Sequence, residues 1–182
     1  MTTGWPTTEL DPVRRLRVMA AGLGAVMYVE EYVDAPPEAV WDVAGDLEGE
    51  LPHLVPTLRA FRMLPGHRSG GLGGPGHGRG WGWAHGPLGY RARFDVLLQP
   101  GYCLMQSRRV IGGMAAVAEG DGTRFAVLGG VRGGGYEARA LRALCALGDD
   151  RGRRMIARAR RRIDARAEGR NQARDEGRSQ GS

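Results

Sequence analysis

The sequence predicts an α+β fold: an antiparallel sheet of about seven strands, two short helices after the first strand, and a helix at the C-terminus. Three observations predict it. Between Val26 and Leu128, runs rich in β-branched and aromatic residues are separated by Gly- and Pro-containing turns of hairpin length. The first run is stopped by Asp34-Ala35-Pro36-Pro37 and followed by two short helical patterns. From Tyr136 onward the apolar residues recur at helical spacing.

The elements follow in order. Residues 1–12 are polar and hold two prolines, so they are expected to be loosely held. Asp11 can cap a helix that has Pro12 at its first position, with Val13, Leu16, Val18 and Met19 as an incomplete apolar stripe. Val26–Val33 suits a pleated, half-buried surface; Glu30 and Glu31 interrupt it, and an inward Glu30 would need a partner. Asp34 or Ala35 is then the N-cap of a helix carrying Val40, Trp41, Val43 and Ala44 and broken at Gly45. Asp46 can cap a second helix, Leu47 to Leu54, that ends before Pro56.

Further strands are expected at Thr57–Leu64, Trp81–His85, Tyr90–Leu98, Tyr102–Ile111, Met114–Ala118 and Thr123–Leu128. On the third of these, Tyr90, Ala92, Phe94, Val96 and Leu98 share one face, and Arg91, Arg93 and Asp95 the other. Gly86-Pro87-Leu88-Gly89, Pro100-Gly101 and Gly120-Asp121-Gly122 are the turns. Gly66–Gly80 has eight glycines in fifteen positions. Its Gly71–Gly76 matches GxGxxG literally, but Pro75 and the alternating glycines cannot open the helix a dinucleotide site requires, so it reads as a hairpin loop. After Tyr136 come Leu141, Leu144, Cys145 and Leu147, a break at Gly148, and a second helical piece to about Ala167 with Met155, Ile156, Ala159 and Ile163 on one stripe. The chain thus divides into an extension, 1–24, part helical; a domain, 25–168; and a polar tail, 169–182, expected to be disordered.

At 182 residues the chain can bury a substantial core. It has no apolar run of membrane-spanning length. The short, Gly-broken apolar piece before Val26 runs straight into a strand, which argues against a signal peptide and places the chain in the cytoplasm. All 26 basic residues are Arg. Residues 151–182 carry a net +7 and the remainder −1. The body is neutral and the tail basic, with no interleaved aromatics, so no specific nucleic-acid partner is expected; a weak anionic-surface contact through the Arg-rich C-terminus is the alternative to a solvated helix face. Cys103 and Cys145 lack metal-ligand or CxxC spacing and read as free buried thiols. His53, His67, His77 and His85 have no Cys or carboxylate at ligand spacing, so no metal and no cofactor is expected.

The stretch VEEYVDAPPEAVWDVAGDLEGELPHLVP, residues 29–56, resembles the opening signature of the SRPBCC superfamily (START-like, polyketide cyclase/dehydrase and lipid-transport proteins). The match rests on Ala35-Pro36-Pro37-Glu38-Ala39-Val40-Trp41 and the following Asp46-Leu47 segment. Gly120-Asp121-Gly122-Thr123-Arg124-Phe125 is similar to that family's last hairpin. The resemblance covers about residues 26–167 and implies a helix-grip fold, a curved sheet wrapped around the C-terminal helix with a cavity between them. It also implies a hydrophobic small-molecule ligand. The Gly-rich loop and the Gly148 break depart from the pattern.

Residues on the strands expected to line such a cavity are Trp81, Trp83, His85, Tyr90, Arg93, Tyr102, Gln106, Arg108 and Met114. Arg93 and Tyr90 cannot both point inward from a regular strand, whereas Gln106 and Arg108 share a face with Tyr102 and Leu104. The expected function is binding of an aromatic or polyketide-like molecule by a monomer or homodimer. A cyclase/aromatase promoting aldol closure and dehydration, a non-catalytic lipid or quinone carrier, and an interaction protein with a filled cavity are the alternatives. An inward Arg, Gln or His would favour catalysis; an all-apolar lining would favour carriage.

Overall fold

Because successive side chains of a strand point to opposite faces, the pairing register decides which residues can meet a ligand. The computed structural model describes residues 10–23, 27–64, 78–132, 139 and 150–179. Helix α1, Pro12–Leu23, precedes strand β1, Met27–Val33; α2, Pro37–Ala44, and the single turn α3, Leu51–Leu54, follow. Then come β2, Ala60–Met63; β3, Gly78–His85; β4, Arg91–Gln99; β5, Tyr102–Gln106; β6, Val110–Glu119; β7, Gly122–Val131; and helix α4, Arg151–Ser179. The seven strands form one antiparallel sheet in the order β1-β7-β6-β5-β4-β3-β2. Consecutive hairpins build β2 to β7, and β1 closes the far edge against β7.

The sheet separates two cores. On its inner face, Val33, Val96, Met105, Met114, Phe125 and Val127 pack against Val40 and Val43 of α2, Leu54 of α3 and Met155, Ile156, Ala159 and Ile163 of α4. The four α4 residues are the expected stripe. Gly152 lets the start of α4 lie against β1: a Cβ there would stand 2.5 Å from Val29 Cγ2. On the outer face, Val13, Leu16 and Ala20 of α1 pack on Tyr102, Leu104, Ile111, Ala115, Ala126 and Leu128. Asp11 caps α1 as expected, its Oδ1 accepting the Arg14 N–H at 2.9 Å.

The structure revises several boundaries. Pro36, not Asp34 or Ala35, is the N-cap of α2, and no side chain caps it. The helix expected over Leu47–Leu54 is reduced to Leu51–Leu54, because the Asp46 carboxylate accepts the Gly49 N–H at 2.8 Å and holds a turn instead. The strand expected over Tyr102–Ile111 is split. The Ser107 hydroxyl accepts the Val110 N–H at 2.9 Å and closes a turn, so Gly112 and Gly113 lie inside β6 rather than leading to it. Thr57–Leu64 shortens to Ala60–Met63. Helix α4 continues through residues 169–179, where a disordered tail was expected. Arg, Ala, Gln and Glu there are all good helix formers. The expected helical piece after Tyr136, Gly148, Cys145, His67, His77 and the GxGxxG match lie outside the described residues.

The Arg side of α4 is not simply solvated. Arg158 donates to the Leu54 carbonyl at 3.2 Å, and Arg160 to the Tyr32 carbonyl at 2.6 Å and to Glu31 at 2.9 Å. Arg162 and Arg166 engage Glu50, and Arg166 also reaches Asp46 at 3.1 Å. Thus much of the basic surplus of α4 is directed at the acidic α2–α3 segment.

Candidate functional site

The inner face is the surface that can hold a molecule between sheet and helix, and its composition follows from the register. Phe94 is paired with Gly82, Val96 with Gly80 and Leu98 with Gly78 on β3, and on the other side Val96 meets Met105 and Leu98 meets Cys103. Met105 pairs with Gly112 and Cys103 with Met114. The apolar alternation of β4 read from the sequence therefore points inward, and it forces the Gly and Ala residues of β3 inward as well. A Cβ at Gly82 would stand 2.8 Å from Phe61 Cε1, so this glycine is a seat for the Phe61 ring. Phe61 in turn meets Phe94 edge-to-face, with ring centroids 6.2 Å apart.

Farther along the same face, Gly112 has more room. A Cβ there would find Met105 Cε at 3.7 Å and the Leu128 carbonyl oxygen at 3.9 Å, ordinary contact distances. Met27, Met63, Phe94 and Leu98 around this face are only partly buried. Across the paired residues of β2 to β6, the inner face presents no Arg, Gln, His, Asp or Glu. Cys103 is its one titratable group, and burial pushes that thiol up to about 12, which keeps it protonated. The inner polar groups of β1 and β7 are both engaged. Thr123 donates to the Ala35 carbonyl at 2.7 Å, and Glu31 meets Arg160. Among the described residues, no three His, Cys, Asp or Glu side chains gather as a metal site.

A seven-stranded antiparallel sheet gripping a C-terminal helix, with two short helices after the first strand, decides the architecture. The chain has a helix-grip fold, the architecture also seen in a START superfamily protein. It is similar to a solved Thermus thermophilus protein at 20% identity and TM-score 0.53, over 76% of this chain and 97% of that one. The KanY protein matches at 12% identity and TM-score 0.54, over 75% and 95%. A START superfamily protein from Mycobacterium smegmatis matches at 16% identity and TM-score 0.51, over 76% and 97%. No family model matches the chain, and no curated protein matches its sequence.

Within this helix-grip domain, the residues expected from the sequence to line a cavity lie mostly on the outer side of the sheet, away from α4. Trp81, Trp83, His85 and Arg93 alternate with the inward Gly, Ala and Phe positions of β3 and β4 and face outward. Tyr102 is outward and buried under α1, with the Arg15 guanidinium 4.5 Å from its ring centroid. Gln106 is outward and accepts from Arg132 at 3.2 Å. Tyr90 is exposed before β4, and Arg108 is exposed in the β5–β6 turn. Met114 alone faces inward, where it is fully buried. On β3 and β4 the polar and Trp positions share the outward phase of the strand. The inward phase was legible in Ala92, Phe94, Val96 and Leu98, once β3 is paired to it.

Glu30 also faces outward. Arg17 of α1 donates to both its oxygens at 2.7 Å, Tyr28 donates at 2.7 Å, and Arg124 lies at 3.6 Å. Burial raises the Glu30 pKa, but these donors outweigh it and leave the carboxyl below its usual range. Partial burial and the bond to Glu30 push the Tyr28 hydroxyl up to about 12. This network fastens α1 to β1 on the outer side of the sheet.

Proposed function

We propose that the chain binds a hydrophobic, aromatic or polyketide-like small molecule between the inner face of the sheet and α4, and carries it without chemical change. The observation that carries this reading is the inner face of β2–β6, which offers apolar surface and no side chain able to polarise a carbonyl or shuttle a proton. A cyclase would have to desolvate and polarise ketone oxygens, which needs donors where Phe94, Leu98, Met105 and Gly112 stand. The half-buried Phe94 is the aromatic surface on this face that a flat, ring-containing ligand would meet. The START superfamily name of the Mycobacterium smegmatis neighbour fits this reading in its general class only.

Native mass spectrometry of the purified chain tests it. A co-purified apolar adduct, released by organic solvent and leaving a chain that takes up a hydrophobic fluorescent probe, is the expected result. A chain that yields no adduct and takes up no probe overturns the binding reading. Accelerated ring closure of a poly-β-ketone supplied to the protein overturns the carrier reading in favour of the cyclase.

A further inference from the structure

The outer face is divided in two. Helix α1 covers β6, β7 and β1, and the Tyr102 end of β5. On β2, β3 and β4 the outward positions include Arg62, Trp81, Trp83, His85, Arg91 and Arg93, with Asp95 directly across from Trp81 and Arg79 nearer the start of β3. Arg62 and Arg93 flank Trp83 as its direct cross-strand partners, and Arg91 is paired with His85. The Arg93 guanidinium stacks over Trp81 at 4.7 Å from the ring centroid and lies 3.6 Å from Asp95. Trp83 is 37% exposed although it is among the most apolar residues of the chain. A large aromatic side chain held at the surface between two guanidinium groups has an uncompensated apolar face and a positive surround.

We propose that this face is a docking platform for single-stranded nucleic acid. The complementarity is twofold. The arginines on the three strands outnumber the one carboxylate, Asp95, and match a phosphate backbone. An exposed indole beside them matches the flat face of a base, and stacking of this kind tolerates any base. Trp81 and Trp83 stand two residues apart on one strand, so their rings emerge on the same face at about 6.6 Å spacing along it. Arg93 already lies over the Trp81 ring, so Trp83 is the stacking surface for a base, and the arginines beside it offer the phosphates a charge partner. An acidic peptide would satisfy the arginines but give the Trp83 ring nothing flat to stack on. This platform lies on the opposite side of the sheet from the hydrophobic site and does not depend on it.

Fluorescence anisotropy with labelled oligo(dT) and oligo(rU), measured across a salt series on the full chain, tests the proposal. Binding at low salt is expected, with log K falling against log salt at a slope of about −2 to −3, as three or four phosphate contacts would give. Trp83→Ala is expected to weaken binding roughly 5-fold or more, while Trp83→Phe, which keeps a ring, retains most of the affinity. Arg93→Gln should reduce the slope by about 0.7. The double variant Arg153→Gln/Arg161→Gln on exposed positions of α4 should leave affinity within about twofold. Absence of binding at low salt overturns the proposal. So does binding that Trp83→Ala leaves unchanged and the α4 variant abolishes, or oligoglutamate that binds as tightly as the oligonucleotide regardless of residue 83.

Discussion

The Glu50 carboxylate, almost wholly withdrawn from solvent, receives two hydrogen bonds from the Arg162 guanidinium: Nε to Oε2 at 2.6 Å and Nη2 to Oε1 at 2.9 Å. Arg166 adds a third contact at 2.9 Å. The pair ties the turn before α3 to the middle of α4 and so fixes how the helix lies across the inner face. The Arg162 hydrogen bonds outweigh burial and hold the Glu50 pKa below the usual carboxylate range. A depressed folded-state value means that the unfolded chain takes up the proton first. The stabilisation is therefore complete above the ordinary carboxylate pKa of about 4.3 and is lost as pH falls through the depressed value. Glu50→Gln is expected to cost about 1–3 kcal/mol at neutral pH and to flatten the acid limb of the stability curve. Urea melts at pH 7 and pH 3.5 check this; an equal loss at both pH values would refute the assignment.

Helix α1 is integral to the domain rather than an appendage. Leu16 is fully buried between α1 and the outer face, and the Arg17–Glu30–Tyr28 network closes beside it. Leu16→Ala is expected to destabilise the fold by about 2–5 kcal/mol. Hydrogen exchange should show the extra opening in α1 and in β5–β7 together. Exchange confined to α1, with the global stability unchanged, would mean that the helix is only loosely docked.

Gly112 offers a direct test of the hydrophobic site. Its position faces inward with ordinary contact distances to its neighbours, so a larger side chain there would extend over the surface assigned to the ligand. Gly112→Phe is expected to fold, as shown by an unchanged circular dichroism spectrum, and to lose probe uptake roughly tenfold, the effect of about 1.4 kcal/mol. Uptake equal to that of the parent chain would place the ligand elsewhere.

Cys103 should be chemically silent. It is fully buried on the inner face, and burial raises its thiol to about 12. In a Cys145→Ser background, a disulfide reagent at pH 8 is expected to leave Cys103 unmodified until denaturant is added. A ligand that fills the inner face should slow that modification further during partial unfolding. Prompt labelling of the native chain would show that solvent reaches the Cys103 end of β5.

The order of the elements was readable from residues of strong local character. Pro36-Pro37 stops β1, Gly120-Asp121 turns β6 into β7, and Met155, Ile156, Ala159 and Ile163 mark the buried stripe of α4. Each depends on backbone chemistry or on a period that neighbours in sequence define. The shorter elements depart from their local pattern where a side chain competes with the backbone, as Asp46 does at Gly49 and Ser107 at Val110. The site was less legible. Alternation along β3 separates Trp81, Trp83 and His85 from Gly80, Gly82 and Ala84 but does not say which set faces the helix, because either face of a strand can be buried.

By itself, then, the sequence determined the succession of strands and helices, the family resemblance carried by residues 29–56, and the apolar face of β4. Only the tertiary structure decided that the Trp and Arg residues of β3 and β4 look away from α4, that α1 closes part of the opposite face, and that Glu30 belongs to that outer side. Local sequence sets the period of each strand, whereas its phase is set by cross-strand pairing and by which helix covers each face, both of them contacts between residues far apart in the chain.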